Sequence, residues 1–286
     1  MSNVIFTQHS RSFEHNRFVY PVVSRRSHGL SIGVNLNPDK ICNFDCIYCQ
    51  VDRTRQSETT FVDLPQLLAE LEAMLGWASS PDIWAHEAFH AAPPDFRRLN
   101  DIAFSGDGEP TTYKNFDEIM RRCAELKDQH HLDAVKMVLI TNASMFHREH
   151  VQRGLQILDA HQGEIWAKLE SGTEAYYKLV ERTSIPFRQI LDNITAAARV
   201  RPLVIQSLFM RIDGEPPSTA EQLAFCDRLN EITAAGGQLK LVQIYTVARQ
   251  PAESFVTPLP PAEVDALAAL VRQQTGLNVA SFYGSA

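Results

Sequence analysis

Three cysteines occur close together near the start of the chain. Cys42, Cys46 and Cys49 are separated by three residues and then by two, so one turn of a loop can direct all three thiols at a single point. Thiolates are preferred ligands of iron–sulfur clusters and, in second place, of zinc. A [4Fe–4S] cluster held by three protein thiolates keeps one iron open, and an open iron can bind a substrate. The alternative is three reduced, inert thiols, but structural cysteines favour buried faces over a polar loop.

The complete motif C-x3-C-x2-C, with the aromatic residue Tyr48 directly before its third cysteine, resembles the signature of the radical S-adenosylmethionine (radical SAM) superfamily. The resemblance implies a [4Fe–4S] cluster on Cys42, Cys46 and Cys49, with the amino and carboxylate groups of S-adenosylmethionine (SAM) on the open iron. It also implies that the reduced cluster passes an electron to the sulfonium. That step yields methionine and a 5′-deoxyadenosyl radical, which removes hydrogen from a substrate. Tyr48 is then expected to pack near the adenine.

A second candidate stretch is the turn Gly106-Asp107-Gly108-Glu109-Pro110, which follows a predicted strand. Small residues let the backbone approach a ligand, and glycine tolerates positive φ. The turn resembles the G-G-E-P motif of the superfamily, which holds the amino group of SAM, with Asp107 at the place of the first glycine. The departure is expected to be mild because aspartate tolerates left-handed conformations. The alternative is a plain structural turn.

Polar residues at the ends of later strands are further candidates. Lys168 and Glu170 are two residues apart on a predicted strand, so both side chains point to one face. The resemblance implies that they contact the ribose and carboxylate of SAM, and the alternative is a surface ion pair. Asn142 ends the preceding strand and is a similar candidate. Arg249, after the sixth strand, could hold an anionic group of the substrate.

Other polar stretches admit a structural interpretation. Gln206 and Gln243 face the predicted interior and could be hydrogen-bonded core amides. The string from Arg211 to Pro216 could line a substrate pocket or be only a turn. The string from His86 to His90 reads H-E-x-x-H, which binds zinc when it lies on a helix. Nearby prolines leave little room for such a helix and no third ligand follows at a recognisable spacing, so a polar helix face is predicted instead.

Composition restricts the class of protein. The chain has 286 residues, a net charge of −7 and five cysteines. The acidic balance argues against a broad nucleic-acid footprint, and no DNA partner is expected. An odd number of cysteines with three clustered fits a reducing cytoplasm better than a disulfide framework, and Cys123 and Cys226 are predicted in the core. No apolar run reaches the ~18 residues of a membrane span, and the first residues lack a signal pattern.

Strands and helices are predicted to alternate about six times. Strands are predicted at residues 30–36, 101–105, 135–141, 165–170, 203–210 and 239–245, with helical stripes between them. This alternation predicts an α/β fold with a mostly parallel sheet covered by helices. Radical SAM cores are similar: a partial, open (β/α)6 TIM-like barrel with the cluster near its top. A single domain is predicted over residues 1–286. It comprises an N-terminal arm (1–21), a core (about 22–250), an insertion (about 78–99) and a C-terminal helix and strand (251–286).

The resemblance therefore predicts a cytoplasmic radical SAM enzyme with an unidentified substrate and a reductant such as flavodoxin or ferredoxin as a partner. The runs at residues 21–26 and 33–36 resemble a little-characterised group distantly related to the wyosine-forming tRNA-modifying enzymes. That kinship suggests an RNA substrate, although the acidic charge weakens the suggestion. The alternative is a non-catalytic iron–sulfur protein that carries electrons or senses redox state. It would leave the turn at residues 106–110 and the polar strand ends without a role.

Overall fold

The computed structural model of the chain describes residues 13–53, 57 and 59–284. These residues form two compact units. The first unit comprises Met1–Cys42, Arg55–Ile140 and Arg148–Glu164, and the second comprises Asn43–Thr54, Thr141–His147 and Ile165–Ala286. The single-domain organisation and its boundaries stay a prediction.

The strands of the first unit are β1 (Val19–Ser24), β2 (Gly29–Val34), β3 (Leu99–Phe104) and β4 (Lys136–Thr141, whose last residue is assigned to the second unit). β1 is antiparallel to β2, whereas β2, β3 and β4 are parallel neighbours. β1 lies where the sequence predicted only the end of an arm and a weakly periodic run. It contains a proline, which is tolerated because β1 is an edge strand of its sheet.

The helices of the first unit are α1 (Leu64–Ala78), α2 (Phe116–Gln129) and α3 (Glu149–Ala160). The Asp63 side chain caps α1 by accepting a hydrogen bond from the backbone N–H of Gln66 at 3.1 Å. The buried face of α2 carries the stripe predicted from the sequence, which includes Phe116, Ile119, Met120 and Cys123.

The predicted insertion contains two short 3-10 turns, Pro81–Ala85 and Pro94–Phe96, and no α-helix. The predicted polar helix face at the H-E-x-x-H string is therefore wrong. His86 follows the first turn in an extended conformation, and its ring lies in an aromatic cluster. Its ring centroid is 5.4 Å from that of Trp77, 5.5 Å from that of Phe13 and 5.8 Å from that of Phe89. Without a helix the two histidines lack the geometry of a zinc site.

The strands of the second unit are β5 (Gly163–Lys168, whose first two residues are assigned to the first unit), β6 (Leu203–Leu208), β7 (Met210–Ile212), β8 (Leu239–Tyr245), β9 (Val256–Pro258) and β10 (Val279–Phe282). β5, β6, β8 and β10 are parallel neighbours in that order. β7 and β9 form a separate antiparallel pair. All six residues of β6 are buried, as expected for a strand inside a parallel sheet.

The helices of the second unit are α4 (Glu174–Glu181), α5 (Phe187–Val200), α6 (Thr219–Ala234) and α7 (Pro261–Thr275). Ser218 caps the start of α6, because its Oγ accepts a hydrogen bond from the backbone N–H of Glu221 at 3.2 Å, which is half of a capping box. The Glu221 carboxylate turns instead to the loop after β5. It accepts hydrogen bonds from Gly172 N at 2.5 Å and from Thr173 Oγ1 at 2.6 Å.

Several structural interpretations of single residues are confirmed. Cys123 and Cys226 are buried core residues. Gln206 and Gln243 are buried, and the side-chain amide of Gln206 donates to that of Gln243 at 3.1 Å. Arg211 donates to Gly214 O, across the turn that follows β7. None of the helices in the described part of the chain is long and apolar enough to cross a membrane.

Candidate functional site

The loop that carries the second and third cysteines of the motif packs against the last turn of α4. Asp45 N donates to Glu181 O at 3.1 Å, and Ile47 N donates to Val180 O at 2.9 Å. Ile47 and Tyr48 are buried in an apolar cluster of the second unit, whose other buried members are Val180, Leu208, Met210, Val247 and Val256. These apolar side chains anchor the loop. Cys46 and Cys49, on either side of the buried pair, are themselves half-buried.

A carboxylate that the sequence analysis did not single out contacts the Cys46 thiol. Cys46 Sγ donates to Glu181 Oε2 at 2.8 Å. Burial of the thiol, followed by the negative charge of Glu181, raises the pKa of Cys46 well above its ordinary value. The thiol is therefore protonated in the metal-free protein, and binding of a metal must displace that proton.

Lys168 and Glu170 lie close to this thiol in the second unit. Lys168 Nζ is 5.6 Å from the centroid of the Tyr48 ring. Burial by itself lowers the pKa of Lys168, but the neighbouring Tyr245 and Glu170 raise it, so the net pKa is above its ordinary value and the amine is a cation. Glu170 is only 3% exposed, which excludes the surface ion pair considered as the alternative.

The two carboxyl groups of this cluster interact strongly. Burial raises the pKa of Glu170 well above its ordinary value, the charge of Glu181 adds to the rise, and the Lys168 ammonium opposes it. Burial raises the pKa of Glu181 as well. Two buried carboxyls therefore compete for one cation, and their charge responds to any ligand that brings a further cation or donor.

Buried polar atoms without hydrogen-bond partners accompany these charges. In the second unit they include Tyr48 Oη, Glu170 Oε1 and Ser171 Oγ, all in side chains exposed by less than 5%. A buried polar group without a partner costs about 1–3 kcal/mol, so such groups call for a ligand or water. The donor and acceptor chemistry of this cluster fits a polar molecule such as SAM beside the thiols.

Asn142 makes contacts that stabilise the cysteine loop. Its Nδ2 donates to Asn43 Oδ1 at 2.9 Å, and its Oδ1 accepts from Ser144 N at 3.0 Å. Asn43, which directly follows Cys42 in the chain, donates in turn to Ser144 Oγ at 2.7 Å. These bonds give Asn142 a structural role, and its contact with SAM stays a prediction.

Arg249 lies next to the end of the cysteine motif. Its Nε donates to the Oε1 of Gln50, the residue after Cys49, at 2.9 Å. This contact places the guanidinium beside the loop, and its binding of an anionic part of a substrate stays a prediction. The string that begins at Arg211 forms a local turn, with left-handed backbone at Asp213 (φ 52°) and Gly214 (φ 83°).

The turn at residues 106–110 lies at the end of β3 in the first unit. Neither Gly106, Asp107 nor Gly108 has a positive φ, so the turn does not use the left-handed conformations that glycine and aspartate tolerate. The glycines are required by close packing instead. A Cβ added at Gly106 would lie 2.0 Å from Asn35 Oδ1, and one added at Gly108 would lie 2.2 Å from Ile41 O. The space that they leave is filled by the chain that leads to Cys42.

Glu109 and Pro110 complete the turn. The Glu109 carboxylate is 3% exposed and accepts hydrogen bonds from Thr111 N at 3.1 Å and from Thr111 Oγ1, which caps the 3-10 turn Pro110–Thr112. Nearby, Asn37 Nδ2 donates to Thr112 Oγ1 at 3.3 Å, whereas Asn37 Oδ1 is buried without a partner. The first unit thus also offers a buried acceptor that a ligand could satisfy.

Cys42 is the last residue of the first segment of the first unit, and its thiol is half-buried and not part of a disulfide, like those of Cys46 and Cys49. Within neither unit do the described residues contain three or more His, Cys, Asp or Glu side chains that together form a preformed metal site. The donor set nevertheless fits an iron–sulfur cluster, because three reduced thiols outside any disulfide are the ligands that such a cluster takes. Their assignment as metal ligands stays a prediction.

The sequence was compared with models of known families and with curated proteins. The family model described as the radical SAM superfamily matches residues 36–225. A UPF0026 protein of Helicobacter pylori (strain J99) is 23% identical over 225 residues, which cover 78% of this chain and 65% of that protein. A Brachyspira hyodysenteriae protein named GTPase Obg is 26% identical over 186 residues, which cover 63% of this chain and 23% of that protein. The matches thus span less than two thirds of these relatives' own length.

Solved structures similar to this chain include a radical SAM methyltransferase from Sphaerobacter thermophilus. The TM-score is 0.65 at 12% identity, and the match covers 93% of this chain and 69% of that one. A structure of TYW1 with a lysine–pyruvate adduct has a TM-score of 0.48 at 13% identity, and the match covers 87% of this chain and 74% of that one. The likeness to the methyltransferase shows the fold and confirms the predicted fold class, an open α/β barrel of the radical SAM type.

Proposed function

Because the chain belongs to the radical SAM superfamily, we propose that it binds a [4Fe–4S] cluster through Cys42, Cys46 and Cys49 and cleaves SAM reductively. The prediction of the superfamily, and of an enzyme of that class, is confirmed at the level of the family. The observation that carries the proposal is the complete three-cysteine motif inside the matched residues 36–225. When bound, the reduced cluster supplies an electron to the sulfonium of SAM, which yields the 5′-deoxyadenosyl radical that removes hydrogen from a substrate.

The second unit supplies charge and hydrogen-bonding groups for SAM in this proposal. Tyr48 offers an aromatic ring for the adenine and a buried hydroxyl that lacks a partner. The Lys168 ammonium can pair with the SAM carboxylate, and Glu170 has an unpaired oxygen that can accept from a ribose hydroxyl. Asn142 holds the loop through Asn43. These groups bind and orient the cofactor and exclude water from it.

The first unit supplies the turn from Gly106 to Pro110. In the proposal, Glu109 directs a carboxylate oxygen towards the amino group of SAM, in the manner of the family motif that the turn resembles. Support comes from the buried position of Glu109 and from the unpaired oxygen of Asn37 beside Gly108. A cationic amino group is the kind of donor that such acceptors bind.

The reaction needs an electron donor and a substrate. We assign the first role to a small reductant such as flavodoxin or ferredoxin, and a cytoplasmic location follows from the need to keep the three thiols reduced. The substrate is unidentified. RNA is one candidate, but the net charge of −7 gives it little electrostatic support.

The proposal is tested by anaerobic reconstitution of the chain with iron and sulfide, followed by dithionite and SAM. We expect the absorption of a [4Fe–4S] cluster and the release of 5′-deoxyadenosine, measured by liquid chromatography and mass spectrometry. Cys46→Ala should lose both, whereas Cys226→Ala, at a buried cysteine away from the motif, should keep both.

The same experiment separates the alternatives. A cluster spectrum without 5′-deoxyadenosine would favour the non-catalytic iron–sulfur protein. Iron binding that persists in Cys46→Ala would contradict the ligand assignment itself.

A further inference from the structure

We propose that Asn35, Asp107 and Gly108 form a brace that fixes the chain entering Cys42 and so positions the first cluster ligand. The proposal rests on the function proposed above, since it assigns these three to placing a ligand rather than to contacting SAM. They are positioning residues, and all three lie in the first unit. Asn35 had no role in the sequence analysis.

Asn35 connects the end of β2 to the turn after β3. Its Oδ1 accepts from Asn37 N at 3.0 Å and from Asp107 N at 3.2 Å, and its Nδ2 donates to Asp107 Oδ2 at 2.8 Å. Its backbone N–H donates to Phe18 O at 2.8 Å, just before β1. Only 2% of the surface of Asn35 is exposed, so water cannot replace these partners. The hydrogen bonds of Asn35 therefore fix the distance between the end of β2 and the turn after β3.

Gly108 contacts the residue directly before Cys42. A Cβ there would lie 2.2 Å from Ile41 O and 2.7 Å from Asn37 Cβ, distances that real Cβ atoms do not show. The intervening turn is closed by its own bonds, because Lys40 N donates to Asn37 O at 2.9 Å and Ile41 N donates to an Asp39 carboxylate oxygen at 3.1 Å. The turn at residues 37–41 is therefore rigid. Its contact with Gly108 fixes the position of Ile41 and hence the position of the next residue, Cys42.

The brace gives a physical reason for aspartate at residue 107. The family motif that the turn resembles has glycine there, and glycine would remove the acceptor of the Asn35 Nδ2 donor. That amide is buried, so the loss would leave a donor without its partner. Asparagine could keep the bond, since it also presents a side-chain oxygen. The brace thus needs a side-chain oxygen at residue 107.

The first test measures thiol alkylation in the metal-free, full-length protein. Each cysteine is labelled with iodoacetamide and its rate is followed by peptide mass spectrometry. Asn35→Ala and Gly108→Ala should each raise the Cys42 rate by roughly fivefold or more, the factor expected when about 1 kcal/mol of hydrogen bonding or packing is lost. Gly76→Ala is the matched control, because its added Cβ meets only His130 Cε1 at 4.0 Å.

Two buried cysteines report whether a variant has simply unfolded. Cys123 and Cys226 belong to the cores of the first and second units and should stay unreactive in every folded variant. A Cys42 rate equal to that of wild type in Asn35→Ala and Gly108→Ala, with both core thiols protected, would overturn the brace. If Asn35→Ala or Gly108→Ala exposes the core thiols, the decisive measurement is the Cys42 labelling rate of Asp107→Ala, because Asp107 is only half-buried.

The second test distinguishes a brace from a charged ligand contact. Asp107→Asn should keep the iron content and the Cys42 labelling rate of wild type, and Asp107→Ala should change both. If Asp107→Ala leaves both unchanged, the brace is wrong. Failure of the radical chemistry in wild type would contradict the proposed function alone, because the alkylation rates do not depend on it.

Discussion

The two units hold their buried and half-buried carboxylates in different ways. In the first unit, Glu109 is held by the neutral N–H and hydroxyl of Thr111, and Asp107 accepts from the side-chain amide of Asn35. In the second unit, Glu170 and Glu181 lie beside each other and the Lys168 ammonium, and one oxygen of Glu170 has no partner.

This difference separates two tasks. A hydrogen-bonded network of neutral donors resists movement, so the first unit is suited to fixing the chain that leads to Cys42. A group of charges with unpaired atoms is costly in the empty protein and gains most when a polar ligand arrives, so the second unit is suited to binding. We therefore expect substitutions in the second unit's cluster to act chiefly on ligand affinity, and the following predictions test that distinction.

The largest effect is expected from Lys168→Met. The change keeps much of the side-chain volume but removes the cation that faces Tyr48, Glu170 and the proposed SAM carboxylate. Removing one partner of a buried charge pair costs about 2 kcal/mol at the low end, so the Kd for SAM should rise by about thirtyfold. The Kd is measured by equilibrium dialysis with the cluster-loaded protein.

Lys178→Met is the matched control for that prediction. Lys178 Nζ pairs with Glu174 Oε1 at 2.7 Å on α4, but its side chain is 68% exposed, so its pair contributes little. Equal Kd values for the two variants would show that Lys168 does not act on the ligand.

A smaller effect is expected from Glu221→Ala. Glu221 lies in the second unit but, like the carboxylates of the first, it is held by neutral donors, Gly172 N and Thr173 Oγ1. Loss of the carboxylate leaves the buried N–H of Gly172 and the half-buried hydroxyl of Thr173 without their acceptor, so the free energy of unfolding should fall by about 2 kcal/mol. Urea unfolding measures it, with the exposed, ion-paired Glu231→Ala as a control on the same helix. A loss as small as that of the control would contradict the assigned role of Glu221.

The smallest effect is expected from Asp101, on β3 of the first unit. Asp101 is buried and accepts from Ser31 Oγ at 2.5 Å, and burial raises its pKa above the ordinary value. The folded protein therefore binds this proton more tightly than the unfolded chain does. The contribution of Asp101 to the free energy of unfolding is fully present below the pKa of the unfolded state, at about pH 4. It is lost as the pH rises through the pKa of the folded state.

That sign is tested by comparing wild type with Asp101→Asn across the same pH range. The free energy of unfolding of wild type, relative to that of the variant, should decline as the pH rises above about 4 and then become constant. Urea unfolding at a series of pH values measures the difference. A relative stability that increases with pH would contradict the prediction.

Much of the fold could be predicted because local patterns determine it. The helical stripes predicted between the strands are confirmed, for example, by α4 (Glu174–Glu181) and α5 (Phe187–Val200), which lie between the predicted strands 165–170 and 203–210. β1 was missed because its alternation is weak and a proline interrupts it, although an edge strand tolerates that proline. The H-E-x-x-H string misled the helix prediction, because prolines on either side favour short 3-10 turns there.

The contacts of the candidate site were less predictable because they join distant residues. Glu181 is 135 residues from Cys46, and Asn35 is 72 residues from Asp107, so no local pattern links either pair. The one available signal for Glu181 was a charged residue next to the apolar face of a helix. The glycines at residues 106 and 108 were singled out for close approach to a ligand and for backbone freedom, whereas the structure shows that the packing of neighbouring chain requires them.

The central claim is that three cysteines hold a cluster whose open iron binds SAM. Electron–nuclear double resonance of the reduced, reconstituted protein tests it most directly, with SAM labelled isotopically at its amino nitrogen. We expect a hyperfine coupling from that nitrogen, because the amino group should coordinate the open iron. A cluster signal that SAM leaves unchanged, with no coupling from the labelled nitrogen, would contradict the account.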